Sequence, residues 1–93
     1  MDEQKHILIN TVDEGLIDSI INLSDPKKIV IFATDEEEFQ AREEFERLYP
    51  KYTDLITLYE GDVTLNTRAY MERNKEAVFY TVEYEDNGEI ITL

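Results

Sequence analysis

The chain has no cysteine and no tryptophan, three glycines, two prolines, one histidine, and only nine lysines and arginines in 93 residues. Each shortage excludes something. Without cysteine there is no disulfide, no thiolate nucleophile and no cysteine-ligated zinc or iron–sulfur centre. The glycines, Gly15, Gly61 and Gly88, form neither G-x-G-x-x-G nor G-x-x-x-x-G-K-[ST], so both common phosphate-cradling loops are ruled out. The one histidine, His6, stands ahead of an apolar run. A Ser-His-Asp arrangement would need Ser19 or Ser24 beside it, and neither lies in a nucleophile-elbow pattern. His6 is therefore expected to be structural or solvent-facing. No run approaches the ~20 apolar residues that span a bilayer. The opening Met1-Asp2-Glu3-Gln4-Lys5 lacks the basic start and apolar core of a signal peptide. Together these features lead to the expectation of a cytoplasmic protein.

What the chain has in excess is acid. There are 22 Asp and Glu, for a formal net charge of −13, beyond the roughly 2–8 usual for a small soluble domain. Such a surface repels nucleic acid, anionic lipid and nucleotide phosphates and attracts basic proteins. Direct nucleic-acid or membrane binding is not expected. Hydrophobic residues make up 42% of the chain, enough for one modest core and against disorder. A single domain over 1–93 is expected, with 1–5 flexible.

The apolar runs are regularly spaced. His6-Ile7-Leu8-Ile9-Asn10 reads as a short strand, and Thr11-Val12-Asp13-Glu14 as a capping box with Thr11 at the N-cap. Val12, Leu16, Ile20 and Leu23 then share a helical face, widened by Ile17 and Ile21, before Asp25-Pro26 ends the helix. Ile29-Val30-Ile31-Phe32-Ala33 is apolar without alternation, as in a strand buried on both faces. Thr34-Asp35-Glu36-Glu37 reads as a second capping box, opening a helix that turns Phe39, Ala41, Phe45, Leu48 and Tyr49 inward and stops before Pro50. Leu55 to Tyr59 is a third strand, and 64–74 suits a short helix. Ala77 to Glu85 alternates as a strand should.

Asn87-Gly88 between alternating runs specifies a two-residue type I′ hairpin. That register pairs Tyr84 with Ile91 and Val82 with Leu93. It puts Tyr80, Val82, Tyr84, Ile91 and Leu93 on the core face, and Glu83 and Glu85 on the other. The fold class that follows is α/β: a small β-α-β-α-β-(α)-β-β domain, mainly parallel, with helices packed on the sheet and a C-terminal antiparallel hairpin. The last strand ends at Leu93 and could pair with a copy of itself, which would make a homodimer.

Three functional readings fit these residues. The first is a non-catalytic, acidic inhibitor that blocks a basic, nucleic-acid-binding site on a partner such as a nuclease or a defence effector. It would be of the phage anti-defence, immunity or DNA-mimic type. Residues 35–46 hold seven carboxylates and one base, and 76–93 hold five carboxylates and no base. Glu36, Glu38, Glu43 and Glu44 on the second helix, and Glu83 and Glu85 on the fourth strand, are the candidate partner contacts. Alternate strand residues stand about 6.6 Å apart, comparable to neighbouring phosphates. A charge run is also the ordinary composition of a solvated face. The second reading is a small Mg-dependent enzyme or phosphoryl-handling regulatory domain, with Asp13, Asp35 and Asp62 at the carboxyl edge of the sheet. Acids in a first helical turn are also ordinary capping chemistry. The third is an accessory subunit whose acid only confers solubility. Of the six tyrosines, Tyr80 and Tyr84 are assigned to the core, while Tyr49, Tyr52 and Tyr59 cluster about the end of the second helix. The first reading is preferred: no catalysis, no cofactor, no metal.

Overall fold

The computed structural model describes the backbone of residues 4–84 and 90–92 and the side chains as far as Thr81. Five strands form one sheet: β1 (Lys5–Ile9), β2 (Lys28–Ala33), β3 (Ile56–Glu60), β4 (Val78–Tyr84) and β5 (Ile90–Thr92). Their order across the sheet is β3-β2-β1-β4-β5. The first four are parallel, and β5 runs antiparallel to β4. Helices α1 (Glu14–Ser24), α2 (Glu36–Leu48) and α3 (Val63–Arg73) form the crossovers, and a 3₁₀ turn (Pro50–Tyr52) follows α2. The α/β class and the element order expected from the sequence are those observed, including a helix in the third crossover. Among the described residues no helix is long and apolar enough to cross a membrane.

Strand alternation divides the core in two. Ile7, Ile9, Ile29, Ile31 and Ile56 pack with Leu16, Ile17 and Ile20 of α1 and with Phe45 and Tyr52, so α1 and α2 cover one face. Leu8, Val30 and Phe32 point the other way and meet Tyr70, Val63 and Met71 of α3. Because β2 is covered on both sides, Ile29 through Ala33 are all buried. That is why the run shows no polar alternation.

Each helix begins at an aspartate. Asp13, Asp35 and Asp62 are the N-caps, and each carboxylate accepts a backbone N–H from the first turn: Leu16 at 3.0 Å, Glu38 at 2.8 Å and Leu65 at 2.9 Å. Thr11 and Thr34 are therefore not the caps the pattern suggested. The capping box of α2 is displaced by one residue: Asp35 caps, and Glu38 reaches back to Thr34, accepting from its N–H at 2.9 Å and its hydroxyl at 3.1 Å. Helix α1 ends where Asp25 turns left-handed at φ 46° and returns its N–H to the Ile21 carbonyl. The Asp-Pro step then prevents continuation.

The inward stripes are narrower than expected. Leu23 is 80% exposed, Leu48 is 64% exposed, and Ala41 is exposed as well. On a 3.6-residue period α2 turns Arg42, Phe45 and Tyr49 toward the sheet, which leaves 41 and 48 at the margin. Tyr52 is buried and donates its hydroxyl to the Asp18 carboxylate, so of the three clustered tyrosines it belongs to the core.

The closing hairpin also differs from expectation. Tyr84 pairs with Ile90, Glu83 with Ile91 and Val82 with Thr92. This is one residue out from a two-residue turn, and it puts Ile91 opposite Glu83 instead of Tyr84. The Asn87-Gly88 dipeptide on which the two-residue turn was expected, with Glu85, Asp86, Glu89 and Leu93, lies outside the described residues.

Candidate functional site

The exposed acid gathers on the outer side of α2. Glu36 and Glu43 stand two turns apart in one row, and Glu37 and Glu44 in the next, all exposed. Helix geometry makes these rows neighbours. Acids in the first turn also favour the positive end of the helix dipole, so Glu36 and Glu37 stabilise the element that displays them. The neutralising contacts are few. Arg47 pairs with Glu44 at 3.0 Å, with both side chains more than half exposed, and Gln40 donates to Glu36 at 3.3 Å. An exposed ion pair of this kind is weak and screened by salt.

Glu38 is also solvent-accessible, with 43% of its side chain exposed, but it is engaged within its own turn: the Thr34 N–H, then the Thr34 hydroxyl, then Arg42 hold its carboxyl below the usual range. Arg42 lies 3.9 Å from the Glu38 carboxylate and has 11% of its side chain exposed. It donates through Nη2 to the Asn10 carbonyl at 2.5 Å and through Nη1 to the Glu38 carbonyl at 3.2 Å. One guanidinium thereby ties α2 to the end of β1. Sequence reasoning gave no role to Arg42, although a base in the middle of an acidic helix was its signal.

Glu83 is on β4, beyond β1 from the strands that α2 joins, and Glu85 lies outside the described residues. Glu36, Glu43 and Glu44 thus come together, Glu38 stands on the same helix with its carboxylate held by Thr34 and Arg42, and Glu83 is on another strand.

The three helix-capping aspartates all stand at the carboxyl edge of the sheet, as the metal reading required. Each, however, has a carboxylate oxygen committed to its own helix. Among the described residues no group of three His, Asp or Glu side chains is placed to hold a metal ion.

At the opposite, amino edge His6 is buried and shares a hydrogen bond with the Tyr70 hydroxyl of α3. The rings of Tyr70 and Phe79 lie 5.6 and 5.8 Å from the imidazole. Burial, then the charges of Lys28 and Lys27, lowers the histidine pKa, while burial and Tyr59 push the Tyr70 hydroxyl up to about 12. Both groups are neutral near pH 7. His6 Nε2 is buried without a partner among the described residues. His6 is thus buried and packed against α3, not solvent-facing. Alternation along β1 carried the signal, since His6 and Leu8 share a face.

No protein-family model, no curated protein and no solved structure matches the chain.

Proposed function

We propose that the protein is a non-catalytic inhibitor that docks the outer face of α2 into a basic, nucleic-acid-binding site on a partner protein. The observation that supports this most is the exposed double row of Glu36, Glu37, Glu43 and Glu44, paired among the described residues with Arg47 alone, on a chain of net charge −13. A helix is a rigid support, so the carboxylates keep fixed spacing when they replace phosphates in the partner's groove. Long-range attraction would steer the encounter and raise the association rate. The partner class is a nuclease, a defence effector or another nucleic-acid-handling protein, met in the cytoplasm.

Affinity capture from lysate at low and high salt, with the partner identified, supplies the reagent for the test. Changing Glu36, Glu43 and Glu44 together to Gln should leave the fold intact and weaken binding several-fold, mainly through a slower on-rate. Duplex DNA should compete for the same partner. Raising salt should slow association more than it speeds dissociation, because exposed charges are screened beyond ~10 Å at 0.1 M. If the triple variant binds as the parent does and DNA binds the partner alongside it, the docking reading is wrong and the acid only keeps the chain soluble.

A further inference from the structure

The chain order reverses across the sheet between β1 and β4: the β1-α1-β2-α2-β3 run moves one way, and α3 returns the chain to the far side of β1. In open α/β sheets the crevice outside the carboxyl ends of the strands at such a reversal is where ligands bind. Here that position holds a cavity of about 260 Å³. Leu8 and Asn10 line it from the end of β1, Phe32 from β2, Thr81 from β4, and Val63 and Thr67 from the start of α3. It opens on the α3 side of the sheet, away from α2, so what it binds does not depend on the docking face.

The lining has a definite chemistry. Leu8, Phe32 and Val63 make an apolar floor, and the Phe32 ring is held in place by stacking on Tyr59 at 6.0 Å and 23°. Around it, Thr67 and Thr81 offer hydroxyls and Asn10 a carboxamide, each able both to donate and to accept. No Lys, Arg or His lines the cavity. The α3 N-terminus beside it, which would otherwise favour an anion, already holds the Asp62 carboxylate against the Leu65 N–H. A phosphate would meet that carboxylate in the field of a chain of charge −13. The volume falls a little under the roughly 300–1,000 Å³ of drug-sized sites.

We infer that this crevice binds a small uncharged heterocycle of nucleoside size. Its flat body lies over Leu8, Phe32 and Val63, its edge groups bond to Thr67, Thr81 and Asn10, and its phosphorylated counterpart is excluded by charge.

Titration of the ¹⁵N-labelled full chain with the four common ribonucleosides and their 5′-monophosphates tests this. At least one nucleoside should bind saturably, with amide shifts centred on Asn10, Thr67 and Thr81, and its monophosphate should bind at least tenfold more weakly. Thr67→Val keeps the shape but removes a hydroxyl, and should weaken that nucleoside at least fivefold. Should Thr67→Val unfold the chain, Thr81→Val on the opposite wall carries the same expectation. The inference is overturned by any of three results: no nucleoside saturates up to its solubility, the monophosphate binds as well as the nucleoside, or the folded threonine variant binds like the parent.

Discussion

His6 and Tyr70, 64 residues apart in the chain, share a buried hydrogen bond between Nδ1 and the phenolic oxygen that joins the first strand to the last turn of α3. The folded histidine has a pKa below 6.5 because burial, and then Lys28 and Lys27, oppose its charge. The direction of the pH effect follows. Above about pH 6.5 the imidazole is neutral in both states, and the fold keeps its full stability. Below 6.5 the unfolded chain takes a proton that the folded chain refuses. Stability then falls by up to about 1.4 kcal/mol per pH unit until the folded histidine also titrates. Urea midpoints between pH 7.5 and 5.5 should show this loss in the parent and not in His6→Gln. Parallel profiles for the two proteins would count against it.

The N-terminal turn of α2 separates a structural carboxylate from the displayed ones. Asp35 accepts the Glu38 N–H, and Glu38 binds back to Thr34. Asp35→Ala should cost about 0.5–2 kcal/mol, with a melting midpoint lower by about 4–8 °C per kcal/mol. Glu38→Ala should also lower the midpoint, whereas Glu43→Ala should leave it within a degree or so. Calorimetry on the three variants checks this. A Glu38 variant as stable as the Glu43 variant would show that the bonds to Thr34 contribute nothing to the fold.

Leucines that share one periodic pattern should differ sharply in what they contribute. Leu16 is buried at 3% exposure, and Leu23 and Leu48 are largely exposed. Leu16→Ala should therefore cost about 2–5 kcal/mol through lost burial and the cavity left behind. Leu23→Ala and Leu48→Ala should stay within about 0.5 kcal/mol. Chemical denaturation resolves differences of this size, and a large loss at Leu48 would mean that α2 packs by a wider stripe.

Element order was legible because it depends on local signals. Ile29 to Ala33 announces a doubly covered strand, and Asp25-Pro26 and Tyr49-Pro50 mark helix ends by sterics alone. Strand order was not legible, since β1 pairs with β4 across more than 60 intervening residues and nothing in either run names its neighbour. The cap positions slipped because Thr11 and Thr34 satisfy the same spacing rule as Asp13 and Asp35, and only the backbone decides between them. The hairpin register failed for a related reason. Asn-Gly favours a two-residue turn, but the pairing of Tyr84 with Ile90 sets a different loop length. At the candidate site, the acidity of α2 could be read directly. That Glu38 turns back onto Thr34 required the backbone path ahead of the helix.

Arg42 is the residue whose replacement should test how α2 is held. Phe45 is the only fully buried apolar residue of the helix, so packing alone anchors it weakly. The guanidinium compensates by bridging the Asn10 and Glu38 carbonyls from a mostly buried position. Hydrogen bonds from a charged donor contribute more than neutral ones, and Arg42→Met should cost about 1–3 kcal/mol. Arg42→Lys keeps the charge but loses the planar fork that reaches two carbonyls at once, so it should recover less than half of that. Amide exchange should quicken through 38–42 in both variants while the β2 amides stay protected, because β2 is paired with β1 on one side and β3 on the other. If Arg42→Lys matches the parent in both stability and exchange, the fork geometry is immaterial and α2 is held by Phe45, Tyr49 and the Asp35 cap.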